Sequence, residues 1–363
     1  MMTAFPKSAA EVTIPWLETR LRASGALGEG RITGLEYVSI GTGQVGDTAR
    51  FTLSYDRDGA GPATVAAKFA SSDATSRSTA GMFGLYAKEV NFYRELAPKI
   101  DVRTPQVFGS ELNEDGTDFI LVFEDLGPCR GGNQLTGCTI EDARHGVRQA
   151  AALHAPTWNA PWLGDAPWLQ PRPGTQEQMI ALYPQAQAIF RERYADTLEP
   201  EMMAVCEALN DMVQAYFTRT SPDYSVTHGD FRLDNMLFDV RGGADPVAVV
   251  DWQTTGAGCP MIDLGYFLGC GIGDAVRRPH EDELLDLYCE EMTRRGVPLT
   301  RADIWDRYRV GALHGVSTAV FSAAFVVRTD RGDQNFLSMA RNSCGLCLDH
   351  DSIGALKRLT ETV

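Results

Sequence analysis

The stretch Thr227–His228–Gly229–Asp230–Phe231–Arg232–Leu233–Asp234–Asn235–Met236–Leu237–Phe238 sets a polar loop, dense in Asp and Asn, directly before an apolar strand. A turn follows, and then Val247–Ala248–Val249–Val250–Asp251–Trp252–Gln253, a second apolar strand that ends abruptly in Asp251. Paired as a hairpin, the two strands bring Asp230, Asn235 and Asp251 to the same end. Transfer of a phosphoryl group needs such a set. A carboxylate must orient the attacking hydroxyl and accept its proton, and oxygen ligands must hold magnesium against the nucleotide phosphates. Asp230 suits the first role, and Asn235 and Asp251 suit the second as hard oxygen donors. Singly, each of the three is read as easily as a turn former or a strand cap. Together they point to chemistry.

Outward from this island the chain changes character. Up to about Gly127 it alternates like an antiparallel sheet. Arg50–Tyr55 alternates polar and apolar, a turn follows at Asp58–Gly59–Ala60–Gly61–Pro62, and Thr64–Phe69 makes the second strand. The spacing of Phe83, Tyr86, Val90 and Tyr93 predicts one helix from about Thr79 to Ala97, ended by Pro98. Gln106–Leu112 and Phe119–Phe123 read as two more strands. Beyond Gly127 helices dominate. Thr139–Ile140–Glu141–Asp142 opens one that runs to about His154, residues 156–173 are irregular, and further helices are expected near 175–195 and 200–219. The expectation is an α+β protein with a small sheet lobe bearing one main helix and a larger helical lobe, divided as 1–126 and 127–363.

Composition bounds the partners. The chain has 363 residues, 44% apolar, which suits two lobes better than one. Thirty-three basic against forty-eight acidic residues leave a formal charge of −15, a field that repels nucleic acid and anionic membrane. Residues 1–12 hold no apolar signal segment. The apolar run Gly315–Val327 is too short to span a bilayer and reads as a buried helix. Eight scattered cysteines fit reduced thiols and a cytoplasmic location. Cys344 and Cys347 with His350 resemble half of a zinc site. No second pair accompanies them, and they read as ordinary cysteines on one side of a C-terminal helix.

The set "HGDFRLDN", "VVDWQ" and "MIDLGYF" resembles the aminoglycoside phosphotransferase and choline kinase-like superfamily, and most nearly its ecdysteroid kinase-like and bacterial phosphotransferase branch. The resemblance implies the bilobal architecture of protein kinases and ATP with Mg2+ as cofactors. It also implies Asp230 as catalytic base, and Asn235 and Asp251 as metal ligands. His228 is similar to a buried histidine bracing the loop, and Asp263 to an acid anchoring it from the next helix. Protein kinases follow the metal-binding Asp with Phe–Gly, whereas Trp252 and Gln253 stand here. No arginine precedes Asp230, which argues against activation by phosphorylation. Arg232 reads as a partner for Asp234 in preference to a phosphate.

The same resemblance assigns the first lobe. Lys68, in Thr64–Val65–Ala66–Ala67–Lys68–Phe69, looks like the strand lysine that holds the α- and β-phosphates, and Glu89 like its helical partner. Gly41, Gly43 and Gly46 fit GxGxxG. An alternating strand follows in place of a helix, so the pattern reads as a glycine-rich hairpin over phosphates and not as a dinucleotide fold. Ile120–Gly127 resembles the hinge. There the Glu124 carbonyl and the Leu126 amide would meet adenine, with Phe123 bordering the pocket.

The expected activity is transfer of the ATP γ-phosphate to a hydroxyl of a small molecule. The acidic runs Glu281–Asp282–Glu283 and Glu290–Glu291 suit either a cationic acceptor or a solvated helix face, whereas the ecdysteroid-like resemblance points to a bulkier apolar alcohol. The rival readings are a non-catalytic ATP-binding scaffold of the same fold and a metal-dependent phosphoesterase built on His228, Asp230 and Asp251. Nothing in the sequence fixes an oligomeric state.

Overall fold

A computed structural model describes residues 5–41, 45–326 and 328–361. They form two compact units. One comprises Met1–Lys99, Arg103–Pro128 and Val250–Thr254, and the other comprises Ile100–Val102, Cys129–Val249 and Thr255–Val363. The short segment Val250–Thr254 thus belongs with the first unit although it lies far downstream.

The first unit is built on an antiparallel sheet of β1 (Ile32–Ile40), β2 (Gly46–Tyr55), β3 (Thr64–Ala70), β4 (Val107–Leu112) and β5 (Phe119–Glu124), in the order β1-β2-β3-β5-β4. Alternation gives the sheet two different faces. Ala49, Phe51, Leu53, Val65, Ala67, Phe69, Ile120 and Val122 form a core with Leu17 and Leu21 of helix α1 (Ile14–Ala23). The register pairs Thr48 with Lys68, Arg50 with Ala66, Lys68 with Leu121 and Ala66 with Phe123, so these six residues share the opposite face. Helix α1 escapes the sequence reading, although Thr13, Pro15 and the Leu17/Leu21 pair mark its start and its buried stripe.

The single helix expected over 79–97 is two helices, α2 (Ala74–Phe83) and α3 (Leu85–Asn91), followed by a π-turn, Phe92–Leu96. Gly84 separates them at φ +67°, a left-handed conformation that glycine adopts without strain and that ends α2.

The second unit carries helices α4 (Ile140–His154), α5 (Thr175–Tyr194), α6 (Pro200–Asp211), α7 (Val213–Thr218), α8 (Met261–Tyr266), α9 (Asp274–Arg294), α10 (Arg301–Gly311), α11 (Leu313–Phe325), α12 (Asp330–Asp349) and α13 (Ser352–Glu361). The Thr139/Asp142 capping box opens α4 as its sequence indicates. The helix expected over 200–219 breaks at Met212, and the irregular segment 156–173 contains short 3-10 turns that bury Leu163 and Leu169. Five short strands complete the unit: β6 (Arg130–Gly131), β7 (Ser225–Thr227), β8 (Met236–Asp239), β9 (Asp245–Val249) and β10 (Gly256–Gly258). The hairpin of β8 and β9 sets Met236 opposite Val249, and β7 pairs with β10. Among the described residues no helix is long and apolar enough to cross a membrane.

Helices α8 and α10 touch through glycines. A Cβ on Gly265 would stand 2.5 Å from the Ala312 nitrogen, and one on Gly311 would overlap the Met261 carbonyl oxygen. Rigid backbone on the far side leaves no flexible atom to yield. Gly311→Ala is therefore expected to lower unfolding stability by about 3 kcal/mol through overpacking, read from urea denaturation against wild type.

Candidate active site

In the first unit, Lys68, Glu89 and Asp251 meet. The Lys68 ammonium donates to Glu89 Oε1 at 2.8 Å and to Asp251 Oδ1 at 2.9 Å. The strand register aims Lys68 off the core face, α3 presents Glu89, and the segment after β9 supplies Asp251. Side-chain exposure is 14% for Lys68, 1% for Glu89 and 33% for Asp251. Burial on its own would lower the Lys68 pKa. The charges of Asp251 and Glu89 outweigh it and hold the ammonium above its ordinary range. Burial pushes the Glu89 carboxyl up, with Lys68 and the Trp252 backbone N–H acting against it.

Asp251 has φ +67°, left-handed backbone that a non-glycine residue adopts only when its surroundings enforce it. The next residue, Trp252, is fully buried and stacks on Phe92 with ring centroids 3.8 Å apart and planes 5° apart. Phe92 lies edge-on to Tyr93, and Tyr93 edge-on to Phe123.

The remaining residues assigned to the first lobe are distributed around this cluster. Gly46 opens β2 where a Cβ would sit 2.9 Å from the Phe69 carbonyl oxygen, and Gly41 has φ +77°. Gly43 lies outside the described residues. The Val45 carbonyl accepts from the Tyr86 hydroxyl at 2.7 Å, which ties the end of the glycine stretch to α3. Phe123 and Leu126 are buried. The Glu124 carboxylate is taken by a bidentate pair with Arg103, and Asp125 binds Arg50 at 2.7 Å.

In the second unit, Asp230 and Asn235 meet within one loop. Asn235 Nδ2 donates to the Asp230 carbonyl and to Asp230 Oδ2, both at 2.8 Å. Asp230 Oδ1 accepts from Arg232 Nε at 2.9 Å and from the Tyr266 hydroxyl at 3.0 Å. Arg232 also binds Asp234 Oδ2 and Gln134 Oε1, each at 2.9 Å. The pairing with Asp234 expected from sequence is therefore present, and the pairing with Asp230 was missed. Burial on its own would raise the Asp230 pKa, but Arg232, His228 and the Asn235 amide hold it below the ordinary carboxylate value.

The loop is anchored from outside. Asp263, fully buried on α8, accepts from the His228 N–H at 2.7 Å and the Gly229 N–H at 2.9 Å, and His154 Nε2 donates to it at 3.3 Å. Asp263 and Tyr266 stand three residues apart on one helix, a spacing that puts both on the loop side and was legible in "MIDLGYF". His228 Nδ1 accepts from the Asp230 N–H at 3.2 Å, and His314 Nε2 donates to the Gly229 carbonyl at 2.8 Å. Gln134 and His154 gave no such signal.

The acidic runs are largely taken up inside the helical unit. Glu281 is buried against Arg277, Tyr308 and His350, Glu283 binds Arg144, Asp282 binds Arg301, and Glu291 binds Arg294. His350 thus faces Glu281, while Cys344 and Cys347 are buried, with Cys344 Sγ 3.8 Å from Cys206 Sγ.

A family model for the phosphotransferase enzyme family matches residues 67–299, well over half of the chain. The chain belongs to that family, and its fold is the bilobal, kinase-like α+β fold. Over 112 residues it is 30% identical to acyl-CoA dehydrogenase family member 11 of Gallus gallus, a match covering 26% of this chain and 14% of that protein. The Rattus norvegicus protein of the same name is 26% identical over 148 residues, 35% of this chain and 18% of its own length. The matched stretch therefore spans less than a fifth of either relative. Among solved structures, a microcompartment-associated aminopropanol kinase shares 16% identity at a TM-score of 0.41, covering 93% of this chain and 99% of its own. A spectinomycin phosphotransferase in complex with ADP and spectinomycin shares 12% at 0.49, covering 94% and 99%.

Asp263 generates a stability prediction. Its pKa is depressed: burial would raise it, and the hydrogen bond and charge of His154 with the charge of His228 and its backbone N–H outweigh that effect. A depressed carboxylate stabilises the fold at neutral pH and loses that contribution as pH falls through its folded value. Asp263→Ala strands the buried His228 amide and the half-buried Gly229 amide, and the expected loss is about 3 kcal/mol at pH 7. Chemical denaturation repeated down the acid range should show a shallower decline in the variant than in wild type.

Proposed function

We propose that the chain is an ATP- and magnesium-dependent kinase that transfers the γ-phosphate to a hydroxyl of a small molecule. The observation that carries this reading is the buried Lys68 ammonium fixed between Glu89 and Asp251, in a chain of the phosphotransferase enzyme family. A protonated lysine of fixed position neutralises phosphate oxygens without reorganising, which is what a reaction run by positioning and electrostatics asks of a protein.

In this reading Asp230 is the base. Its carboxylate is ionised at neutral pH, and Oδ2 has the Asn235 amide on it and a lone pair left for the acceptor hydroxyl. Arg232 and Tyr266 fix Oδ1, so the group reaches substrate already oriented. The residues assigned to magnesium fit a hard cation. With Asn235 Nδ2 committed to Asp230, the amide presents Oδ1 as a ligand, and Asp251 keeps Oδ2 beyond the oxygen held by Lys68. Bound magnesium would neutralise charge on the nucleotide phosphates. Phe123 and the backbone of Glu124 and Leu126 are assigned to adenine, and Gly41, Gly43 and Gly46 to the phosphates.

Charge supports the need for a cation. Two carboxylates around one ammonium leave one surplus negative charge in the first cluster. Asp230 and Asp234 around Arg232 leave another in the second. A surplus of that sign repels an anionic nucleotide unless a divalent ion intervenes. The acceptor is proposed only as a small alcohol. The pairing of Glu281, Asp282, Glu283 and Glu291 with basic side chains weakens the case for a cationic one.

The test is ADP formation from Mg-ATP across aminoglycosides, choline, amino sugars, macrolides and steroids, with Asp230→Ala as the blank. A signal that vanishes in the variant is the expected result. No turnover and no nucleotide binding would overturn the reading. Asp230→Asn is expected to cut kcat by at least about 10²-fold while nucleotide still binds, and Asp251→Ala to remove the magnesium dependence of that binding. Arg232→Leu removes a charge that keeps Asp230 ionised, so the acidic limb of its kcat/KM profile should move to higher pH.

A further inference from the structure

Asp251 occupies a left-handed backbone conformation that L-residues rarely adopt. Something beyond its own side chain must hold it there. Its carboxylate meets Lys68 through Oδ1 alone, a single contact that fixes distance better than direction. The firmer restraint lies one residue on. The Trp252 ring lies flat on Phe92, with centroids 3.8 Å apart and planes within 5°. Phe92 opens the π-turn that continues α3, three residues after Glu89, so the element that presents Glu89 to Lys68 also holds the ring of Trp252. Neither ring is exposed.

From this geometry we infer that Trp252 is the positioning residue for Asp251: its stack on Phe92 holds the Asp251 carboxylate in the orientation that binds magnesium. The inference rests on the proposed kinase reading and adds to it the side chain on which the metal affinity depends. A flat pair at near-parallel planes resists rotation of the segment, whereas an aliphatic side chain fills the space without fixing the angle. Loss of the stack therefore loosens Asp251 while leaving the Lys68–Glu89 pair in place. The predicted signature is a defect in metal binding without a matching defect in metal-free nucleotide binding. A merely structural role for Trp252 would impair both together.

The experiment is calorimetric titration of ADP into the full chain at a series of magnesium concentrations and in EDTA. Wild type, Trp252→Leu, Trp252→Phe and Phe92→Leu are compared. Residues that orient a metal ligand typically change metal affinity by about 10–100-fold, so Trp252→Leu and Phe92→Leu should raise the half-saturating magnesium concentration by at least about tenfold. Trp252→Phe keeps a ring on Phe92 and should recover most of that loss. The metal-free ADP Kd should stay within about twofold in all three, because no variant touches Lys68. A magnesium midpoint in Phe92→Leu and Trp252→Leu within twofold of wild type overturns the inference, and so does a parallel loss of metal-free binding. Should Trp252→Leu fail to fold, Phe92→Leu and Trp252→Phe decide the matter from the two sides of the stack. Wild-type protein that binds no ADP in either condition overturns the kinase reading itself, a result distinct from wild type that binds and variants that match it.

Discussion

One ammonium ion, kept from water between two carboxylates, organises the first unit. An ammonium buried without partners suffers a desolvation penalty of several kcal/mol, so Lys68 is stable only when β3, α3 and the segment 250–254 all arrive together. That requirement explains why five residues from far downstream belong to the sheet unit. It also explains the two faces of the sheet. The side carrying Phe51, Val65 and Val122 is sealed by α1, which leaves the Lys68 side for charged groups. The proposal of a divalent cation follows from the same arithmetic, because the cluster satisfies the lysine and still holds one carboxylate charge in excess.

The second unit fixes its polar loop by a different device. Asp263 does not pair with a cation of long reach. It accepts two consecutive backbone N–H groups, which sets the path of the chain one residue before Asp230. Helix α8 supplies both Asp263 and Tyr266, and α8 is itself set by the glycine contact with α10. A backbone approach behind the loop therefore governs a carboxylate in front of it. Asp230 is held at both oxygens, and in the proposed kinase reading this is the preorganisation that electrostatic catalysis requires.

Legibility in the sequence followed the physics of each feature. The sheet strands could be read because alternation is forced by one buried face, as at Arg50–Tyr55 and Thr64–Phe69. The partners Lys68 and Glu89 could be paired because both lie on regular elements next to apolar stripes. The break at Gly84 could not, since an isolated glycine in a helical pattern is compatible with continuation. Arg232 was half read. Its neighbour Asp234 is two residues away, and so is Asp230, and spacing alone does not show that the guanidinium spans both. Gln134 and His154 were silent because their partners are distant in the chain. The acidic run at 281–283 was half read too: Asp282 and Glu283 lie on an exposed helix face, one of the two readings offered, whereas the burial of Glu281 against Arg277 is not visible in sequence.

The departure from protein kinases after Asp251 becomes intelligible in these terms. A glycine two positions on would let the segment rotate at little steric expense. Here Gln253 removes the permissive backbone, and Trp252 fills its site completely against Phe92. The π-turn at Phe92–Leu96 matters to this arrangement, since Phe92 and Tyr93 are consecutive and yet both buried, one on Trp252 and the other on Phe123. Four rings thus run from the residue beside Asp251 to the sheet face that carries Lys68. The stack borders a residue whose left-handed backbone persists only where its surroundings enforce it, and whose own side chain pairs with Lys68.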